Sequence, residues 1–149
     1  MKDFVKKVYE KLNPVVINWV DYYTEMGLID AYTSNKYKVL KGFNAPINTY
    51  DVKIDLANRY TAIISVDDTV DTKKYTTSVL RVSILGAAVE RVKQDNGSVD
   101  VYPAKVTVKQ IKFIEGTFDI DKVDWVLDIQ ELMNEYVLKG EPEVVEVNV

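Results

Sequence analysis

Strict alternation of apolar and polar residues between residues 49 and 66 constrains the fold of this chain more than any other feature. Successive side chains of a β-strand point to opposite faces, so a period of two predicts strands with one buried and one wet face. The alternation breaks at Ala57-Asn58-Arg59, and we therefore expect two strands joined in an antiparallel hairpin. The side chains predicted to face the core are Tyr50, Val52, Ile54, Leu56, Ala62 and Ile64.

Strand patterns also occur on both sides of this hairpin. Residues 37–40 form a short candidate strand, and residues 78–85 form a longer one. Residues 86–93 fit either a continuation of that strand with a bulge at Gly86 or a short helix, and we favour the strand.

A second turn signal, Asp95-Asn96-Gly97, precedes another stretch of strand pattern. Its apolar residues change phase near Lys109-Gln110, which indicates a β-bulge. Residues 36–118 are therefore predicted to form an antiparallel β-meander of about five to six strands. The polar residues 67–77 within it are predicted to form an exposed, mobile loop.

Helical patterns occupy the first 27 residues. An apolar stripe from Phe4 to Leu12 predicts one amphipathic helix. Asn13-Pro14 is typical of an N-cap followed by a first-turn proline, so a second helix is predicted to begin there and to end at Gly27.

A further helix is predicted at residues 121–139, with Asp121 as its N-cap and Gly140 and Pro142 ending it. Its predicted core face consists of Val126, Ile129, Met133 and Val137. Residues 141–149 then alternate valine with polar residues and are predicted to form an extended β-arm. The whole, residues 1–149, is expected to be a single α+β domain.

Histidine and cysteine are both absent from the 149 residues. Their absence excludes disulfides, thiolate sites, the usual zinc sites and the Ser-His-Asp and Cys-His catalytic arrangements. No glycine-rich loop ends in Gly-Lys-Ser or Gly-Lys-Thr, so phosphate-loop chemistry is excluded too. We expect a non-enzymatic protein without a cofactor.

Two groups of acidic residues could in principle surround a hard cation. The first lacks the glycine and the final glutamate of an EF-hand loop, and the start of a helix explains its acids better. The second lies in a polar stretch and is expected to be solvated. Their members are Asp119, Asp121, Asp124 and Asp128, and Asp67, Asp68 and Asp71. No metal site is predicted from either group.

The charge of the chain bears on its partners. With a net charge of −4, the protein lacks the basic excess that supplies most nucleic-acid affinity. Lys105, Lys109 and Lys112, near Tyr102 and Phe113, could hold phosphates and stack on bases, or they could blunt an exposed strand edge. We favour the blunted edge and keep binding of nucleic acid or a small ligand as the alternative. Charged residues interrupt the apolar start of the chain, so no membrane segment is expected and a cytoplasmic origin is the default.

Two segments carry more apolar surface than a single core stripe requires. The helix at residues 14–26 is apolar around much of its girth and could be covered by the sheet and the first helix or by a neighbouring subunit. The β-arm could pair with its own sheet or with a neighbour's. The candidate contact residues are Val16, Trp19, Val20, Tyr23, Val145, Val147 and Val149.

The order of these elements resembles the ring-forming neck, head-tail connector and tail-terminator proteins of tailed bacteriophages, in which small α+β subunits join sheets around a channel. Segments 4–26, 50–66 and 123–149 carry the resemblance, which concerns element order and transfers no functional residue. It implies a homo-oligomeric ring that binds other virion structural proteins, made in the cytoplasm and incorporated in the virion.

Overall fold

In the part of the chain that the structure describes, two helices lie on one face of a five-stranded sheet, so the protein has the α+β fold that the sequence predicts. The computed structural model describes residues 3–29, 50–70 and 76–148. In chain order the elements are α1 (Asp3–Glu25), β1 (Asp51–Asp55), β2 (Thr61–Val70), β3 (Thr76–Lys93), β4 (Val99–Ile114), α2 (Asp124–Val137) and β5 (Val145–Asn148). Strands β1 to β4 are antiparallel neighbours in that order, and β5 pairs in parallel with β3.

The N-terminal region is one continuous helix, which corrects the prediction of two helices meeting at Asn13-Pro14. A row of side chains four residues apart continues unbroken past Pro14 and is wholly buried. Its members are Val8, Leu12, Val16 and Val20. Burying an aliphatic side chain contributes about 1.5–3 kcal/mol, so the row outweighs the roughly 3 kcal/mol cost of a proline inside a helix.

Asn13 is a core residue of α1 rather than the N-cap of a second helix. Its Oδ1 accepts a hydrogen bond of 3.0 Å from the hydroxyl of Tyr50, a residue 37 positions away. This contact satisfies a polar group that would be costly to bury alone. A partner so distant in sequence leaves no trace in the local pattern.

The β1–β2 hairpin has the predicted strands and the predicted core face. Val52 pairs with Ile64 and Ile54 pairs with Ala62, and all four side chains are buried. Tyr50 and Leu56, the two other predicted core residues in this segment, are buried as well. The turn between the strands requires Arg59 to adopt a positive φ of 75°, a conformation uncommon for a residue with a side chain.

Strand β3 continues through residues 86–93, as we favoured over a helix. The predicted turn at Asp95-Asn96-Gly97 joins it to β4, with Gly97 at a φ of 85°. The register of β4 shifts between the pairs Ile84–Lys109 and Leu85–Thr107, which leaves Val108 as the extra residue of a bulge. The bulge thus lies near the phase change that was predicted at Lys109-Gln110. The bulge predicted at Gly86 is corrected, because the extra residue belongs to β4 and Gly86 belongs to the facing strand β3.

Helix α2 buries all four residues of its predicted core face. Its N-cap position is Val123, which corrects the assignment of Asp121. The Asp121 backbone N–H donates to Oδ1 of Asp119 at 3.0 Å, so residues 119–121 form a side-chain turn before the helix begins.

The polar stretch at residues 67–77 is only partly the loop that we predicted. Backbone pairing of β2 with β3 extends to Val70 and Thr76, so both ends of the stretch are strands. Residues 71–75 and the candidate strand at 37–40 lie outside the described residues. In the part of the chain that the structure describes, neither helix is long and apolar enough to cross a membrane.

Candidate protein-contact site

The β3–β4 hairpin projects beyond the rest of the sheet. Strand β2 leaves β3 at the pair Thr61–Leu85, whereas β3 and β4 stay paired to Lys93 and Val99. Residues 86–93 of β3 lie beyond the first residue of β2, Thr61. At 3.3 Å for each residue, these eight residues extend the hairpin by about 26 Å. Strand β5 lies along the freed edge of β3 and pairs with residues Ala88–Arg91. We call residues 86–105 and 145–148 the strand extension.

Gly86 allows the strand extension to leave the sheet. A Cβ at this position would lie 3.1 Å from Cγ1 of Val108, 3.6 Å from Cβ of Pro142 and 3.7 Å from a ring carbon of Tyr60. The bulge of β4, the segment leading to β5 and the start of β2 therefore all converge on one residue without a side chain. The three neighbouring atoms all belong to side chains, and they leave little room for a side chain on residue 86.

Large apolar side chains of the strand extension are exposed. Val99, Val101 and Tyr102 at the start of β4 are each about half exposed, at 48–51%. Val144 and Val145, at the start of the arm, are 55% and 45% exposed. Exposed apolar side chains on a projecting element are candidates for contact with another protein.

The exposed residues lie on both faces of the strand extension. Tyr102 pairs with Glu90, and Val101 pairs with Arg91, so these two neighbours point in opposite directions. Val145 pairs with Ala88 and shares the face of Tyr102. A partner that covered only one face would leave the other apolar side chains in water.

The β-arm is held by few interactions. Strand β5 has four residues, and the structure pairs it with β3 of the same chain. One ion pair, of 3.0 Å between Nε of Arg91 and Oε1 of Glu146, joins side chains that are 52% and 50% exposed. Ion pairs at such exposure contribute at most about 1 kcal/mol.

The outer edge of β4 is the long free edge of the described sheet, since β4 is the last strand in the strand order. Pro103, three lysines and the bulge at Val108 occupy its middle and make that part a poor template for another strand. The residues nearest the turn, 99–102, contain no proline, lysine or bulge, and Asp100 is their one charged residue. Pairing with another chain is therefore least hindered at the end of the strand extension.

The predicted contact residues of the N-terminal helix are buried inside the subunit. Val16, Trp19, Val20 and Tyr23 are each at most 8% exposed, because the sheet and α2 cover them. The predicted intramolecular cover was the sheet and the first helix; the sheet is confirmed, but α2 takes the place of the first helix, which is part of α1 itself. The arm residues differ, because Val145 is exposed and Val147 is partly exposed. Val149 lies outside the described residues.

The three candidate nucleic-acid lysines do not share a face. Lys109 pairs with Ile84, whose side chain faces the helices. Lys109 and Lys112 both line a groove with the acidic Glu131 and Glu135 of α2, and Lys105 does not. Lys112 pairs with Arg81 of the opposite face through ordinary alternation, and Lys105 pairs with Ala87 of that face because the bulge at Val108 reverses the alternation. Phe113 packs against Phe118 and Trp125 instead of offering a stacking surface. The geometry therefore does not form a basic, aromatic platform.

The described acidic residues that were considered as cation ligands do not form a metal site. Asp121 lies 3.9 Å from the ammonium of Lys7, and Asp128 lines the groove beside Lys109. Among the described residues no group of three or more carboxylates is placed to hold a metal ion. Asp71 is outside the described residues, as are the side chains of Asp67 and Asp68.

The chain was compared with protein families, curated proteins and solved structures. No protein-family model, no curated protein and no solved structure was found to match the chain. The exposed residues of β4 were missed by the sequence reasoning. The signal that could have found them is strand length: the patterns at residues 76–93 and 99–114 are far longer than the partner available in residues 61–70.

Proposed function

We propose that this protein is a non-enzymatic structural subunit that assembles with copies of itself and with other structural proteins. The observation that carries the proposal is the strand extension, which projects from the subunit with exposed apolar residues on both faces. Burial of such residues against a partner removes apolar area from water and drives association. The absence of histidine and cysteine from the chain supports a role in assembly over one in catalysis.

The shape of the strand extension favours a ring. A projection on one side of a subunit that docks on a different surface of its neighbour makes a head-to-tail contact, and such contacts close into rings when the rotation permits. Val101 and Tyr102 are exposed on opposite faces of the strand extension. A groove of a neighbouring subunit would bury both side chains, whereas a flat two-fold contact would bury only one of them. This is the arrangement implied by the resemblance to phage head-tail connector and tail-terminator proteins, and a virion ring is the specific role we propose.

The β-arm supplies a way to link subunits. It is a four-residue strand on the edge of β3, connected to α2 by a mostly exposed segment, so the same pairing could form with the β3 of a neighbour. Exchange of identical elements between protomers needs no new interface, because the intramolecular contacts are reused. We propose that arm exchange joins adjacent subunits in the assembly.

Disulfide crosslinking tests where the arm binds. The chain has no cysteine, and Val89 and Glu146 are direct partners in a parallel pair, with Cα atoms expected about 4.8 Å apart. That spacing lies within the range that a disulfide bridges. When the single variants Val89→Cys and Glu146→Cys are mixed, unfolded together and refolded, arm exchange predicts a crosslinked heterodimer under mild oxidation.

The combination of Val89→Cys with Val147→Cys is the matched control. Val147 pairs with Glu90, so its side chain points to the other face and should not crosslink. If Val89→Cys/Glu146→Cys crosslinks only within single chains and the mixture gives no heterodimer, the arm serves its own sheet and arm exchange is wrong. A monomeric mass of the full chain would overturn assembly itself.

A further inference from the structure

A cleft of about 450 Å³ lies between α1 and α2, away from the strand extension. Volumes of this order are typical of sites that hold a small molecule. Three side-chain amides and three aromatic rings dominate its lining. They belong to Asn18, Gln130 and Asn134, and to Trp19, Tyr22 and Tyr23.

Asn134 is held in one orientation at the base of the cleft. Its Oδ1 accepts hydrogen bonds from Nε1 of Trp19 at 2.8 Å and from the hydroxyl of Tyr23 at 3.2 Å. These two donors fix which end of the amide faces them, so the NH₂ group, with its two hydrogens, points away. No described residue accepts a hydrogen bond from that NH₂ group, and the amides of Asn18 and Gln130 also have no partner among the described residues.

One aromatic ring of the cleft is open to solvent. Tyr22 is 58% exposed, while Trp19 and Tyr23 are at most 8% exposed. The rings of Tyr22 and Tyr23 meet edge to face, with centroids 4.9 Å apart and planes at 83°, which holds Tyr22 against a rigid neighbour. The cleft thus combines a supported aromatic surface with an oriented amide donor.

Among the residues that the structure describes, none that lines the cleft carries a carboxylate, ammonium or guanidinium group. A charged ligand would lose its hydration without gaining a counter-charge, so the ligand should be neutral. A planar nucleobase binds by stacking its ring on aromatic side chains. The cleft exposes one aromatic ring, Tyr22, so a nucleobase could not be stacked between two rings. Amides that can donate and accept, beside one open aromatic ring, match a ligand with an apolar C–H face and a rim of hydroxyl groups.

We propose that this cleft binds a neutral sugar residue, with its C–H face on Tyr22 and its hydroxyl groups on Gln130, Asn18 and the NH₂ group of Asn134. The site is independent of the assembly proposed above, because none of its residues lies in the strand extension. A glycan could therefore bind to the subunit whether or not the subunit forms a ring.

NMR titration of the full chain tests the site. A panel of neutral mono- and disaccharides is added to ¹⁵N-labelled protein, with adenosine and glycerol as comparison ligands. At least one sugar should give saturable shifts at the Trp19 indole N–H and the side-chain amides of Asn134 and Gln130. The Trp125 indole, which donates to the Ile120 carbonyl outside the cleft, should stay unshifted.

Substitutions at the rim separate binding from folding. Tyr22→Ala and Gln130→Ala remove contacts without leaving a donor of the core unpaired, and each should weaken sugar binding about tenfold, or 1.4 kcal/mol. Tyr102→Ala, an exposed tyrosine of the strand extension, is the matched control and should bind the sugar normally. The proposal is overturned if no sugar gives saturable shifts, if adenosine or glycerol binds equally well, or if the rim variants bind as the control does.

Discussion

Met133 shows how far a single core position could be predicted. The helical period placed it on the buried face, and it is wholly buried in contact with the main core. Met133→Ala should therefore lower the free energy of unfolding by about 2–5 kcal/mol, through lost burial and a residual cavity. Urea denaturation followed by circular dichroism measures this loss.

Leu127→Ala is the control for that substitution. Leu127 lies on the same helix but is 54% exposed, and its loss should change stability by less than about 0.5 kcal/mol. Equal losses for the two variants would contradict the assignment of the core face of α2.

A side chain at position 86 should destabilise the protein. A Cβ there would lie 3.1 Å from Cγ1 of Val108, so the branched side chain of Gly86→Val should overpack the junction and cost about 1–3 kcal/mol. The same substitution in a Val108→Ala background should cost clearly less, because the opposing methyl groups are gone. Equal costs in both backgrounds, measured by denaturant unfolding, would show that Val108 is not the obstacle.

At the scale of elements, local periodicity predicted the strands and helices wherever one face is buried. The β1–β2 hairpin and the core face of α2 follow directly from the spacing of their apolar residues. The break at Asn13-Pro14 was predicted wrongly, because the burial of Asn13 and its bond to Tyr50 are long-range facts. Likewise, the position of the bulge on β4 depends on the partner strand, which the pattern of one strand alone does not contain.

Substitution of Pro14 tests whether α1 is one continuous helix. Inside a continuous helix it lacks the N–H that would donate to the preceding turn, so Pro14→Ala should raise the free energy of unfolding by on the order of 1–3 kcal/mol. At the first position of a separate helix, proline is favourable, and the same change would lower stability. Thermal and denaturant unfolding distinguish the two outcomes, and a decrease would support two helices.

The candidate site was only partly predictable from the sequence, because part of it depends on how long neighbouring strands stay paired in the sheet. The valine-rich arm was recognised from its alternation, but the exposed half of the site, Val99 to Tyr102, follows from where β2 ends beside β3. Trp19 and Tyr23 were predicted as contact residues because apolar residues occupy most of the surface of their helix. Their cover is α2, more than 100 residues away in sequence.

At the scale of the whole molecule, assembly should depend on the strand extension. Val101→Lys/Tyr102→Lys places a charge on each face of its end and should lower the oligomeric mass, because burying an unpaired charge at a contact is costly. The subunit should stay folded by circular dichroism, since both residues are about half exposed. Leu127→Lys, which adds a charge to the exposed face of α2, is the control and should leave the mass unchanged.

The mass of the full chain in solution decides whether the protein is an assembly subunit. Size-exclusion chromatography with light scattering, over a range of protein concentrations, should give a stable multiple of the 17.0 kDa chain mass. Deleting residues 141–149 should lower that multiple while the subunit remains folded. A full chain that stays at 17.0 kDa at the highest soluble concentration, with the deletion lowering only stability, would contradict the account.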